Sequence, residues 1–270
     1  MREIISVDEK TALSGAGSVD RILRVLAAFT RFSAPVGVRT LAAHVGLPES
    51  TVYRMVALLR DLGFVTDLGR DLGFIPGPVC AQLGEATNFW PLLECESLPE
   101  MEQLSEETHE TVGLIVRIHH QMMCLRIVES PQSLRCTVTE GSTLPMVRGA
   151  SAKLLVAFSE KSIQRAIALE VPEALRSQFL DEIRGISKNG YSVSDSELDP
   201  GVWGVSTPIL TEGKKLVAGL TLMAPSSRAR HQQEVFISKT ISTAARISRR
   251  VSDALILPEH FSMAPRATCT

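Results

Sequence analysis

No two cysteines in this chain stand at the C-x-x-C spacing of a zinc knuckle or a redox pair. Its five cysteines, Cys80, Cys95, Cys124, Cys136 and Cys269, are odd in number and scattered over 270 residues. That pattern argues against a disulfide framework and fits a reducing cytoplasm. Long apolar runs are lacking as well. The longest, Leu216 to Ala224, is interrupted by Thr221 and falls far short of the roughly 20 residues a bilayer crossing needs. Asp8, Glu9 and Lys10 stand where an export signal would have its apolar centre, so no export is expected. Nor does one charge dominate: 28 Lys and Arg face 30 Asp and Glu. A general polyanion binder is thereby excluded, and any nucleic-acid contact must be local.

Catalytic constellations are missing too. Gly204-Val205-Ser206-Thr207-Pro208 opens like a nucleophile elbow but lacks the closing glycine, which leaves Ser206 as a strand hydroxyl. His119 and His120 lie near Cys124, yet neighbours in an extended segment point to opposite faces and cannot easily share an ion. Cys136 could react with electrophiles if it lines a cavity, although a small buried hydrophobe is the commoner role. Glu106-Glu107 and Arg249-Arg250 read as solvated helix faces. No catalytic residue, metal or cofactor is therefore expected.

What is present divides in two, as 270 residues with 44% apolar content allow. Residues 1–17 and 258–270 lack periodicity and are expected to be flexible tails. From Ser18, a plausible N-cap, residues Val19, Ile22, Leu23, Leu26 and Phe29 share one helical face. Arg39 to Val45 predicts a short second helix stopped by Gly46. Pro48 then opens a third, whose stripe of Val52, Met55, Val56, Leu59 and Leu62 ends at Gly63. Phe64 to Thr66 and Leu72 to Ile75 predict a hairpin around Gly69. Helix, helix, turn, helix, hairpin over 18–78 is the order of a winged helix-turn-helix, with 79–96 as a helical linker behind it.

In such a module the second helix of the pair enters the major groove. At 100° per residue, Ser50, Arg54, Ala57 and Asp61 point away from the apolar stripe, with Thr51 and Tyr53 on the flanks. Arg54 can fork onto guanine O6 and N7, while Ser50, Thr51 and Tyr53 can bond phosphates or bases from the first turn. Arg70, at the hairpin tip, can reach phosphate or minor groove, and Arg39 and Arg60 complete the basic set. Within 18–78, seven Arg and no Lys face five acidic residues, a mild surplus that suits a local interface.

The larger part, 97–257, alternates strand-like runs with helical patterns. The strands are expected at Thr111 to Ile118, Met122 to Val128, Leu134 to Val138, Val205 to Leu210 and Leu216 to Met223. The helices are expected at Ser151 to Phe158, Pro172 to Lys188 and His231 to Leu255. This predicts an α+β domain with one antiparallel sheet flanked by helices. The last helix carries Val235, Ile237, Ile241, Ala244, Ile247, Val251 and Leu255, which suits packing on the sheet or on a partner subunit.

Several stretches together carry a family resemblance. They are Ser18-Val19-Asp20-Arg21, Leu41-Ala42, Val45 through Arg54, Leu62-Gly63-Phe64-Val65, Glu110-Thr111-Val112, Gly141-Ser142, Leu144-Pro145-Met146, Gly149 through Leu155, Gly190-Tyr191-Ser192, Asp195-x-Glu197 and Gly201-Val202. Over 18–257 the chain resembles the IclR family of bacterial transcriptional regulators. The resemblance implies a winged-helix DNA-binding domain and a GAF-like effector-binding domain. It also implies a homodimer or homotetramer on palindromic double-stranded operator DNA, and an effector that is a small organic acid.

Position by position, the family's effector pocket falls on Leu134, Cys136, Leu144, Met146, Ala150, Ser151, Ser194, Val202, Gly204 and Thr221. The chemistry of that set is coherent. Ala150 and Ser151 open a predicted helix whose N–H groups suit a carboxylate. Ser151, Ser194 and Thr221 add hydroxyls, and Leu134, Leu144, Met146 and Val202 an apolar wall. Ser194 stands where an Asp can occur in the family, Gly204 where a Cys can, and Ser151-Ala152 where Ala-Gly is usual. The missing side chain at Gly204 points to a bulkier acid, aromatic ones included, over a two- or three-carbon one. The rival readings are a sensor that binds no DNA and a hydrolase-like enzyme built on the C-terminal domain.

Overall fold

The computed structural model describes residues 17–32, 34–69, 72–85 and 89–256, and the chain divides into two compact units, 1–88 and 89–270. In the first, α1 (Gly17–Ala28) runs into a 3-10 turn (Phe29–Arg31). Then come α2 (Val38–Val45), α3 (Glu49–Asp61), the strands β1 (Val65–Asp67) and β2 (Phe74–Pro76), and α4 (Pro78–Glu85). Val25, Phe29, Leu41, Val52, Val56 and Leu59 are at the centre of its core. Ser18 lies inside the first turn of α1 and does not cap it. The apolar stripe of α1 is also only partly buried, because Val19 and Leu23 stand exposed.

The step from α2 to α3 shows why these residues turn. Gly46 sits at φ 68°, a left-handed geometry that costs a residue with a Cβ more than glycine. Pro48, at φ −59°, precedes α3, and its carbonyl receives the N–H groups of Thr51 and Val52. Three residues thus set the angle between the two helices. Behind them β1 and β2 pair antiparallel, Thr66 opposite Ile75. Val36 joins the hairpin through two 2.9 Å backbone hydrogen bonds with Phe74. A one-residue bridge has no periodicity, so the pattern of the sequence could not reveal it.

The second unit is a six-stranded antiparallel sheet in the order β5-β4-β3-β8-β7-β6. Its strands are β3 (Thr111–Ile118), β4 (Gln121–Val128), β5 (Thr143–Pro145), β6 (Ser192–Asp195), β7 (Val202–Leu210) and β8 (Leu216–Pro225). Its helices are α5 (Phe89–Thr108), α6 (Ala150–Ala157), α7 (Lys161–Glu170), α8 (Glu173–Asn189), α9 (Ser226–Ala229) and α10 (Gln233–Ile256). Side chains alternate across a strand. Leu114 and Val116 of β3, Trp203 and Val205 of β7, and Leu220 and Leu222 of β8 therefore face one way. There they pack against Leu93 and Leu104 of α5 and Phe236, Ile247 and Val251 of α10. The other face is covered by α6, α7 and α8, with Ile115, Cys124, Leu154, Ile167 and Ile183 in that core. The last helix therefore packs on the sheet.

Two further sequence expectations need correction. Leu134 to Val138 forms no strand. Its carbonyls are bonded by side chains, that of Leu134 by Arg228 and that of Cys136 by Thr111, and the short β5 takes the place beside β4, Leu144 opposite Met122. Residues 89–96, read as linker, are the opening turns of α5, where Leu93 is fully buried in the sheet core. No helix among the described residues is long and apolar enough to cross a membrane.

Candidate nucleic-acid interface and effector site

On α3 the division of faces is sharp. Val52, Val56 and Leu59 are buried, while Ser50, Tyr53, Arg54, Arg60 and Asp61 are exposed, with Tyr53 at 62%. Thr51 is half-buried. Arg54 has no carboxylate partner among the described residues, so its guanidinium remains available for a base edge or phosphate. Arg60 is differently placed. Its guanidinium lies 3.2 Å from the Asp61 carboxylate, which both ties it down and offsets the charge that would repel DNA. Arg39 is exposed and 3.8 Å from Glu49, a loose surface pair of little energetic weight. Arg70 lies outside the described residues. The turn that leads to it is braced by the Gly69 N–H donating to the Asp67 carboxylate at 2.8 Å.

In the second unit, the register assembles a site from four strands. Ser194, Gly204, Met223 and Thr111 stand side by side across β6, β7, β8 and β3; the next row is Ser192, Ser206, Thr221 and Gly113. This is the face on which α6 packs. A Cβ at Gly204 would lie 3.8 Å from Ser194 Oγ and 3.9 Å from the Ala150 methyl, and Ser151 Oγ is 2.9 Å from Thr221 Oγ1. Ala150, Ser151, Ser194, Gly204 and Thr221 are thus brought together. Both contacts at Gly204 are of ordinary van der Waals length, so the room gained there is about that of one methyl group.

The remaining expected residues divide. Met146 is buried in the α6-side core and Leu144 packs at its margin, while Val202 is half-buried at the start of β7. Leu134 does not join a wall: it is 66% exposed, because the chain there is held through its carbonyls and the side chain is left outward. Cys136 is half-buried. Burial, then the nearby Glu110 carboxylate, push its thiol up from its ordinary value, the opposite of what a reactive thiolate needs. Cys124 is pushed up to about 11, chiefly by burial.

Of the opening N–H groups of α6, read from sequence as available to a ligand, those of Gly149 and Ala150 are taken by the chain itself. Gly149 N–H donates to a Glu197 carboxylate oxygen at 3.1 Å, and Ala150 N–H to Ser194 Oγ at 2.9 Å. The other oxygen of Glu197 accepts from Lys153 Nζ at 2.6 Å. That ammonium is only 3% exposed and is shared with Glu182, which satisfies the rule that buried charge is paired. Gly149, Lys153 and Glu197 were visible only as parts of the family stretches, although a lysine before Leu154-Leu155-Val156-Ala157 is itself a signal of a buried ion pair. Met223 gave no signal, since only strand register places it beside Gly204. Among the described residues no three His, Cys, Asp or Glu side chains are grouped to hold a metal ion.

Comparison with known proteins bears directly on both regions. The profile of the IclR helix-turn-helix domain matches residues 18–69, and that of the bacterial transcriptional regulator IclR C-terminal domain matches residues 93–249. The regulator KipR of Bacillus subtilis is 27% identical, covering 78% of this chain and 88% of that protein. The acetate operon repressor of Salmonella typhimurium is 27% identical, covering 85% of this chain and 87% of its own. Among solved structures, an IclR homologue of Microbacterium hydrocarbonoxydans complexed with 4-hydroxybenzoate superposes with a TM-score of 0.69 at 19% identity, covering 87% of this chain and 99% of that one. An IclR-type regulator from Silicibacter does so with a TM-score of 0.74 at 22% identity, over 87% and 96% of the two chains. With profiles over both units and relatives that regulate transcription, this chain belongs to the IclR family of bacterial transcriptional regulators, DNA-binding proteins and not enzymes.

Proposed function

We propose that the chain is a cytoplasmic, effector-controlled regulator of a catabolic operon. It acts as a homodimer or homotetramer on a palindromic operator and responds to a small organic acid held between α6 and the β6-β7-β8 face. The observation that carries this reading is the convergence of the Ser151, Ser194 and Thr221 hydroxyls on the first turn of a helix. Hydroxyls and helix N–H groups suit a carboxylate, and Leu144, Met146 and Val202 offer apolar surface for the rest of the molecule. The complex of a structural neighbour with 4-hydroxybenzoate supports an aromatic acid over glyoxylate or pyruvate.

On the DNA side, 18–78 reads the operator: Arg54 is the base-reading residue, Ser50, Thr51 and Tyr53 contact base or phosphate, and Arg39, Arg60 and Arg70 contact phosphate. The acid favours one quaternary arrangement, and the spacing of two recognition helices follows. Such coupling needs only that the acid bind one arrangement more tightly than the other. A gel shift on the intergenic region beside its own gene, with and without a panel of aliphatic and aromatic acids, tests the whole reading. A sequence-specific shift that an aromatic acid alters is expected. No specific shift would refute the operator reading, a shift indifferent to every acid the effector reading, and a response to glyoxylate or pyruvate alone the aromatic preference.

A further inference from the structure

A buried hydroxyl is costly unless it is hydrogen-bonded, so a row of them beneath one helix asks for a reason. Ser192, Ser206 and Thr221 lie directly opposite one another on β6, β7 and β8, and none is more than 2% exposed. Glycines surround the row. Gly113 continues it on β3, Gly204 and Gly219 flank it, and a Cβ at Gly219 would stand 3.1 Å from both Ser206 Oγ and the Leu154 side chain of α6. Small residues thus let α6 approach the sheet closely enough for Ser151 to touch the row. Thr221 Oγ1 donates to Ser206 Oγ at 2.9 Å, and Ser151 Oγ is 2.9 Å from Thr221 Oγ1.

Each hydroxyl has a single proton to give. With that of Thr221 spent on Ser206, Ser151 donates to Thr221 and turns only its lone pairs toward the half-open side. Ser192 Oγ, buried and without a partner among the described residues, closes the far end of the row.

We propose that Ser206, acting through Thr221, is a positioning residue that sets the direction of the Ser151 hydroxyl and thereby the preference of the site for a carboxylate. This rests on the effector reading above. When a carboxylate oxygen meets Ser151, the chain reverses by rotation about the C–O bonds: Ser151 donates to the ligand, Thr221 to Ser151 and Ser206 to Thr221. No proton leaves its oxygen, and each bond polarises the next. A neutral carboxamide that offers its NH2 group is served by the resting direction instead. Ser206 and Thr221 therefore separate an acid from its amide although Ser206 lies beneath the site and touches no ligand.

Calorimetry on the full chain with matched pairs, acetate and acetamide, benzoate and benzamide, 4-hydroxybenzoate and 4-hydroxybenzamide, tests this. Ser206→Ala should weaken acid binding about threefold, the polarisation a carboxylate gains along the chain and not a whole hydrogen bond, and leave amide binding unchanged. Thr221→Val should do the same, and Thr221→Ser, which keeps the hydroxyl, should restore the acid preference. Unchanged acid affinity, or equal losses for acid and amide, would overturn the relay and leave the effector site standing. A wild-type chain that binds no acid of the panel would overturn both. Should Ser206→Ala fold poorly, the contrast between Thr221→Val and Thr221→Ser decides alone.

Discussion

Replacing Arg228 by leucine isolates one ion pair beside the effector face. Arg228 Nε and Nη2 meet the two oxygens of Glu110 at 2.6 and 2.7 Å, and Nη1 donates to the Leu134 carbonyl at 2.8 Å. Glu110 is 2% exposed and Arg228 30%. Removing one partner of a buried pair costs about 3–5 kcal/mol because the other charge is left without compensation. Water can follow through the partly exposed arginine side, so about 3 kcal/mol is the expected loss. For a unit of this size that is a fall in Tm of about 6–12 °C, readable by circular dichroism at pH 7. Adding Glu110→Met should recover most of the loss, since an apolar pair of similar volume replaces an ion pair at little cost. A deficit under about 1 kcal/mol, or one indifferent to the second substitution, would refute the reasoning.

Four further outcomes are expected. Arg54→Ala should lower specific operator affinity by about 1–3 kcal/mol and leave the melting of the first unit within about 0.5 kcal/mol, since its side chain is exposed; a large loss of stability would contradict the exposed placement. Ser151→Ala should spare operator binding in gel shifts and blunt the response to acid, whereas equal losses in both would indicate misfolding. Gly77→Ala would put a Cβ 2.3 Å from the Gly63 carbonyl oxygen and 2.8 Å from the Val65 nitrogen, so calorimetry should show the first unit destabilised by more than about 1–3 kcal/mol, with the second unit's transition unmoved. Asp195 has its carboxyl held below the ordinary range by hydroxyl donors, first Ser226 and then Ser196. Its contribution is complete above about pH 4 and is lost as pH falls through the lower folded value, so Asp195→Asn should lower Tm at pH 7 and leave it unchanged near about pH 2.

Where periodicity was long, the chain could be read directly. The α3 stripe of Val52, Val56 and Leu59, and the alternation of β3 and β8, each repeat often enough to fix a buried face. Where an element is short or its bonds are made elsewhere, nothing in the local pattern announces it. Ser192 to Asp195 is four residues of strand defined by pairing with β7. Leu134 to Val138 had a strand's composition, but its carbonyls are claimed by Arg228 and Thr111. The same holds in the candidate effector site. Ala150, Ser151 and Ser194 came from family position, and hydrogen bonds tie them together. Met223 and Ser206 enter only through register, a property of three strands at once, and Glu197 reaches Gly149 from 48 positions away.

The start of α6 is already neutralised from within, by a carboxylate that Lys153 and a backbone amide hold in place. An anionic metabolite that settles there exchanges one negative group for another, and its net affinity is the modest remainder after an internal rival is evicted. On the proposed reading, a regulator built this way stays deaf to trace amounts of its signal and answers only when the metabolite pool swells.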